Sequence, residues 1–367
     1  MRIHWYWPFV RTEELGLARA FAARGDDVLV QTIGGRVDST TAQGFTMRCD
    51  VPDVPSRSEG TMRWAASRAT VYPRRARARA RAVHGFAPDV VHVVYMNYFT
   101  DGLTLGRLGH LAPLVSTVHD VVPHQSRVPA PLERALLQRQ YANAGTIVVH
   151  HADVGTRLCQ EFGVDPARVH EVPWAVPEVR AVDKLGPSDV PTMLMFGTLR
   201  RNKGVEILLE ALARKPDMAC RLVVAGRGFA DVEALVRAGA ERDPRIVAEL
   251  GLVSEERKHS LYREADLVVL PYTSFSSQSA VLHDAYAHHR PVVVSDVGAL
   301  GSAVRHDASG WVVPPCDPEA LADALETALA DAAAWRRAAA GAAATAALRH
   351  PTVVAEALRA VYDAAQR

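Results

Sequence analysis

Cysteine is scarce. Cys49, Cys159, Cys220 and Cys316 stand far apart, with no CxxC pair among them. That spacing argues against a paired-cysteine metal or redox motif and fits reduced, structural thiols in a cytoplasmic protein. No apolar run approaches about 18 residues, so no segment is expected to span a membrane. The opening residues, MRIHWYWPFV, enter a strand pattern at once and lack the long apolar core of a secretory signal. Net charge is only +1, so bulk charge argues neither for nucleic acid nor for an acidic partner. The first turn, Trp7-Pro8-Phe9-Val10-Arg11, holds no GxGxxG, which counts against a nicotinamide or flavin dehydrogenase. His150-His151 and His288-His289 have no HExxH motif and no cysteine partner. Neighbours on a strand or helix also point apart, so no metal site is expected there.

What is present is a globular composition: 367 residues, 49% apolar and 23% charged, enough for two domains of ordinary size. The abundance of alanine and arginine fits a GC-rich bacterial genome. Ile3, Trp5 and Trp7 alternate as a first strand, and Thr12 is placed to cap a helix running to Arg24. Val28–Ile33 is a second strand, so the chain opens β-α-β, the start of a doubly wound sheet. Residues 34–60 read as irregular and polar. Thr61–His84 reads as a helix broken or kinked near Pro73. Its arginines, Arg74, Arg75, Arg77, Arg79 and Arg81, are expected to spread around the axis without one basic face. That is the pattern of a solvated surface helix; the sharper alternative is a patch for an anionic membrane or a phosphorylated acceptor. Strands follow at Val90–Val94, Leu114–Val118, Ile147–Val149 and Val169–Val172. Around Pro173–Asp189 the stretch VPWAVPEVRAVDKLGPSDVP carries four prolines and no period, a linker set at 177–190 between domains 1–176 and 191–348.

The second half starts afresh with a strand at Thr192–Phe196 and then Gly197-Thr198-Leu199-Arg200-Arg201-Asn202-Lys203-Gly204. Three cations between a strand and a helix, with a glycine for close backbone approach, suit a diphosphate. The order GxxxxGK[ST] is missing, so this is not a Walker loop. Arg221–Ala225 is a strand ending in Gly226-Arg227-Gly228. From Pro271 to Gly301 the chain reads as strand end, polar loop, short helix, buried strand and glycine loop. Ser276 or Ser277 is placed to cap that helix. A polar loop of this kind is either an ordinary strand–helix connection or an anion site.

Set in order, FGTLRRNKGVEILLEAL, LVVAGRG, GLVSEERKHSLYREADLVVLPY and DAYAHHRPVVVSDVGALGSAVRHDASGWVVPPCDPEALADAL resemble the C-terminal half of the GT-B retaining glycosyltransferases of the family 4 type. The N-terminal half is similar more loosely, through MRI, LARAFAARGDDV, PDVVHVV and STVHD. The resemblance implies two Rossmann-like α/β domains facing across a cleft. The acceptor would lie on 1–176 and the nucleotide sugar on 191–348, with a C-terminal helix, 349–367, crossing back. It implies no metal and no cofactor, with a nucleoside diphosphate sugar, most often of UDP, as donor.

Residue by residue, Lys203 resembles the family's lysine on the donor diphosphate. Thr198 stands where an arginine is usual, leaving Arg200 or Arg201 to replace it. Gly197 and Gly226 resemble the glycines beside the nucleotide, and Val253 the position whose backbone holds the base. The family's paired acids fall on Ser276 and Asp284, so one acid is lost and the other shortened. Ser277, Gln278 and Ser279 match the loop that offers N–H groups to phosphate. His119 resembles the histidine that contacts the transferred sugar. In that resemblance the catalytic group comprises His119, Lys203, Arg200 and Arg201. A sugar-nucleotide epimerase, a pseudo-glycosyltransferase on the same fold and a non-catalytic binding subunit are the competing readings. Ser276 in place of an acid keeps the last of these open.

Overall fold

Short, β-branched runs such as VVHV, LVSTV, LVVL and VVVS are buried on both faces, as strands of a parallel sheet between helices must be. The computed structural model describes residues 1–10, 12–34, 44–53, 61–97, 101–122, 129–275 and 279–367. It divides into two compact units, Met1–Ala175 with Pro351–Arg367, and Val176–His350.

The first unit is built on seven strands: Arg2–Tyr6 (β1), Asp27–Ile33 (β2), Thr46–Val51 (β3), Val90–Val93 (β4), Leu114–Val118 (β5), Thr146–Val149 (β6) and Val169–Glu171 (β7). They pair in parallel in the order β3-β2-β1-β4-β5-β6-β7. Its helices are Gly16–Ala23 (α1), Thr61–Phe86 (α2), Asp101–Gly109 (α3), Ala130–Ala142 (α4) and Ala152–Phe162 (α5).

Three sequence expectations need correction here. β3 lies inside the stretch read as irregular. It is an edge strand with mostly exposed side chains, so it carries no apolar signal. α2 continues past Pro73, so of the break or kink expected there the break is absent. α1 starts only at Gly16, after a 3-10 turn over Thr12–Leu15, and Leu15 rather than Thr12 is its N-cap residue.

The second unit has six parallel strands: Thr192–Phe196 (β8), Arg221–Gly226 (β9), Ile246–Leu250 (β10), Leu267–Leu270 (β11), Val292–Ser295 (β12) and Gly310–Val313 (β13), ordered β10-β9-β8-β11-β12-β13. Its helices are Val205–Ala213 (α6), Ala230–Arg242 (α7), Glu255–Glu264 (α8), Ala280–Ala287 (α9), Leu300–His306 (α10), Pro318–Ala330 (α11) and Ala332–Leu348 (α12). In both units the direction of winding reverses beside the first strand, between β1 and β4 and between β8 and β11. Such a switch opens a crevice at the carboxyl ends of the strands, where open α/β sheets bind ligands.

The proline-rich stretch before β8 is fastened to the second unit. Buried Asp266 accepts from Lys184 Nζ at 2.8 Å, Ser188 N at 3.2 Å and Thr192 N at 2.8 Å. Buried Arg290 donates to Val182 O at 2.8 Å, and His289 pairs with Asp183. His289 has φ +56°, the left-handed conformation that ends a helix and favours glycine.

The last helix, Pro351–Ala365 (α13), belongs to the first unit. Val354, Leu358 and Val361 join the core of Ile3, Trp5 and Phe21. Tyr362 Oη accepts from Trp5 Nε1 at 2.7 Å and donates to His92 Nδ1 at 2.6 Å; His92 Nε2 in turn donates to Thr117 Oγ1 at 2.7 Å.

Candidate functional site

At the carboxyl ends of β8 and β9 two loops cross at van der Waals distance, and glycine makes the crossing possible. Gly197 has φ +117° and its N–H donates to Ala225 O at 3.0 Å. A Cβ on Gly226, φ +131°, would stand 2.0 Å from Gly197 O. Any side chain there would force the loops apart. Gly226 O accepts from Gly251 N at 3.1 Å, which fixes the turn leading to Val253. Val253 is half-buried and packs against the core of this unit.

The next clasp joins the loop after β8 to the loop after β11. A Cβ on Gly204 would meet Pro271 O at 1.9 Å. Thr273 N donates to Asn202 O at 3.0 Å, and Asn202 Nδ2 donates to Ser274 O at 3.0 Å. Between these ties lies Lys203, with Nζ 3.5 Å from the centroid of the Tyr272 ring and 4.9 Å from that of Phe275. Burial, aided by Arg200, pushes its ammonium down to about 7. Thr198 and Arg200 are exposed on the same loop. Arg201 is turned to Asp231 of α7 at 2.5 Å. The loop therefore sets Lys203 and Arg200 side by side, while Arg201 has its own carboxylate.

Ser279 is the N-cap residue of α9. Its Oγ is buried, 3.2 Å from Tyr272 Oη, and its carbonyl accepts from His283 Nδ1 at 3.0 Å. Asp284 is buried within α9, and its carbonyl accepts from His288 Nδ1 at 2.8 Å. Ser276, Ser277 and Gln278 lie outside the described residues.

In the first unit His119 follows β5. Its Nε2 donates to Val94 O at 3.1 Å, so Nδ1 carries the lone pair. Among the described residues that Nδ1 is buried without a hydrogen-bond partner. Burial, aided by His150, pushes His119 down to about 3. The ring stacks on Tyr95 at 4.4 Å and lies 5.1 Å from His150, which stacks on Trp174 at 5.4 Å. Four rings from the ends of β4, β5, β6 and β7 thus form one continuous ladder. Trp5 and Trp7 are buried in the core of this unit. Tyr98 and Phe99 lie outside the described residues. His150 and His151 point apart: His150 Nδ1 donates to Val172 O at 2.8 Å, while His151 accepts from Asp153 N at 3.3 Å to cap α5.

The arginines of α2 correct another expectation. Arg75 and Arg79 turn inward: Arg75 Nε donates to Pro52 O at 2.7 Å, and Arg79 to Asp101 and Thr104, both at 2.8 Å. Arg74, Arg77 and Arg81 remain on one outer face, lining a groove of about 630 Å³ with Asp50 and Pro52. Positions i, i+3 and i+7 fall within an arc of about 60° on a helix, so a basic stripe does form.

Tyr272, Phe275, Asn202 and Trp174 were not singled out from the sequence. Aromatic residues spaced i, i+3 directly after a strand ending beside the Lys203 loop are the signal that could have found the first two.

Two family models match the chain: "Glycosyltransferase Family 4" over residues 15–180 and "Glycosyl transferases group 1" over residues 190–331. A D-inositol 3-phosphate glycosyltransferase of Xylanimonas cellulosilytica is 32% identical over 300 residues, covering 72% of this chain and 69% of that protein. Alignments with proteins of that name span from 60% to 69% of their length. Among solved structures, sucrose-phosphate synthase from Thermosynechococcus elongatus superposes with a TM-score of 0.74 at 19% identity, covering 99% of this chain and 98% of that one. Anabaena HepE, solved with UDP-glucose, gives 0.67 at 16% identity, covering 99% of each. At these identities the superpositions bear on the fold: two parallel-sheet α/β domains of the GT-B kind.

Proposed function

Because this chain belongs to the GT-B glycosyltransferases of the family 4 type, we propose that it moves a sugar from a nucleoside diphosphate sugar to an acceptor hydroxyl, with retention at the anomeric carbon and without a metal ion. The observation that carries this reading is Lys203: a lysine beside Arg200, in a loop clasped by glycines at a topological switch point, facing aromatic rings rather than a carboxylate. In the step proposed, the bond from the anomeric carbon to the diphosphate oxygen breaks. A bond to the acceptor oxygen forms on the same face, and the acceptor's proton passes to the departing diphosphate. Lys203, Arg200 and the N-terminus of α9 would stabilise the charge that develops on that diphosphate.

UDP is the nucleotide proposed, supported by the UDP and UDP-glucose complexes of Anabaena HepE. His119, an acceptor of hydrogen bonds through Nδ1, is proposed to meet a hydroxyl of the transferred sugar. The acceptor class proposed is an anionic, hydroxyl-bearing molecule. The relatives named for D-inositol 3-phosphate support it, and the exposed Arg74, Arg77 and Arg81 are compatible with peripheral contact at an anionic surface. A cytoplasmic, bacterial setting belongs to the same proposal.

The test is incubation of purified protein with a panel of UDP-, GDP- and ADP-sugars, with and without polyol phosphates. Release of nucleoside diphosphate together with an α-linked product is expected. Conversion of the donor to its epimer would replace the transferase reading. Binding without turnover would favour a non-catalytic subunit, and no binding of any donor would sink the proposal.

A further inference from the structure

The chain has only four lysines. Three are matched to carboxylates: Lys184 to Asp266 at 2.8 Å, Lys215 to Asp323 at 2.8 Å and Glu326 at 2.7 Å, and Lys258 to Glu255 at 2.6 Å. Lys203 alone has no carboxylate among the described residues. Its ammonium instead lies over the faces of Tyr272 and Phe275. The charged group acting on it is Arg200, of like sign. Arg201, two residues away, is committed to Asp231. Tyr272 brings no charge, because burial pushes its hydroxyl up.

A ring face attracts a cation but compensates lost hydration far less than a carboxylate does. A lysine so placed, next to an arginine, is held in position yet short of counter-charge. The rings are themselves fixed. Tyr272 is buried and tied through Ser279 to the first residue of α9, and the clasp of Asn202 with Thr273 and Ser274 holds Phe275 nearby.

We infer that Tyr272 and Phe275 are positioning residues that box Lys203 so that the diphosphate of the incoming nucleotide sugar is its counter-ion, and that donor binding draws a proton from solvent onto Lys203. This rests on the donor reading above and adds to it a proton uptake and two residues. The physics agrees in sign. Burial and Arg200 favour the neutral amine in the empty site, and two phosphate charges favour the ammonium in the filled one. Above the empty-site midpoint, donor affinity then falls by up to about tenfold per pH unit, and well below it affinity is flat.

Reductive methylation with ¹³C-formaldehyde gives one resolved NMR signal per lysine, and Lys203→Arg assigns the one sought. The Lys203 signal is expected to titrate at least two pH units below the other three and to move upward when UDP-glucose is added. On unmodified protein, calorimetry with UDP-glucose at pH 8 in two buffers of different ionisation enthalpy is expected to show uptake approaching one proton. The donor diester has no titration of its own in this range. Phe275→Ala should return the Lys203 midpoint toward the others and flatten the pH dependence of binding. Tyr272→Phe, which keeps the ring and loses only the tie to Ser279, should shift both less than Phe275→Ala does. If Lys203 titrates with the other lysines while UDP-glucose still binds, the aromatic box is overturned and the donor reading survives. A midpoint near neutrality that no nucleotide sugar of the panel moves overturns the diphosphate as counter-ion, and the proposed function with it.

Discussion

The two sheets share a winding order around their first strand, but they furnish their switch points with opposite chemistry. In the second unit the carboxyl ends of β8, β9 and β11 carry glycines at positive φ, a lysine and an arginine. In the first unit the ends of β4 to β7 carry Tyr95, His119, His150 and Trp174, with His119 kept uncharged by burial. One site is short of negative charge and the other is neutral, apolar on its faces and polar at one buried nitrogen. On the proposed function, the same fold would serve an anion at one site and an uncharged, hydroxyl-rich group at the other. The side chains at the strand ends, not the topology, make that difference.

The comparison is tested most forcefully by acid. Burial pushes His4, His92 and His119 of the first unit down to about 4, 3 and 3, and His288 of the second to about 3. A buried neutral histidine binds fewer protons folded than unfolded. Its contribution is therefore intact above the unfolded value of 6.5 and is lost as pH falls toward the folded one. Each such group removes up to about 1.4 kcal/mol per pH unit in that window. Between pH 6.5 and 5, hydrogen-exchange protection in β1, β4 and β5 is expected to fall before that in β8, β9 and β12. Simultaneous loss in both sheets would show that the histidines do not set the difference.

Removing the charge of the second unit comes next. Lys203→Ala is expected to lower transfer by two or more orders of magnitude, since losing one preorganised donor at a developing charge costs about 3–4 kcal/mol. An unchanged rate in well-folded protein would deprive the cationic site of its meaning. Gly204→Ala should act slightly less, and on stability. A left-handed φ of +67° and a Cβ 1.9 Å from Pro271 O together cost about 2–4 kcal/mol. The melting temperature should drop and donor affinity with it, because the two loops would be pushed apart. A variant that melts as the parent does would mean that the clasp yields freely.

Much of this was legible in the chain. The buried runs of β4, β5, β11 and β12 announce themselves by composition, and GTLRRNKG shows its charge and its glycines directly. What stayed hidden depends on contacts distant in sequence. β3 pairs with β2 along an exposed edge, so nothing apolar marks it. The arginines of α2 form a stripe only because Asp101 and Pro52 take up Arg79 and Arg75. Asn202 finds Ser274 across 72 residues, and that clasp lies next to Phe275, whose ring stands beside Lys203. His289, met in the sequence only as one of two adjacent histidines, proves to occupy a backbone conformation that glycine would favour. Its ring pairs with Asp183 of the strapped segment.

The smallest expected effect concerns the neutral site, and it separates two uses of one ring. Because His119 Nε2 donates to Val94 O, only Nδ1 is available to a ligand, and it can accept but not donate. Gln places its amide near the position of Nε2, and Asn near that of Nδ1. His119→Gln is therefore expected to keep the bond to Val94 and lose the acceptor, lowering transfer about tenfold, the worth of one hydrogen bond of roughly 1.4 kcal/mol. His119→Asn, with an amide oxygen near Nδ1, should retain more of the rate while melting lower than the Gln variant, since the Val94 tie is gone. With His119 held near 3 in the folded protein, its own titration should leave the rate level between pH 5 and 8. Should the Asn variant be slower than the Gln variant at equal stability, Nε2 and not Nδ1 faces the sugar. The neutral half of the comparison would then have to be rebuilt around a donor.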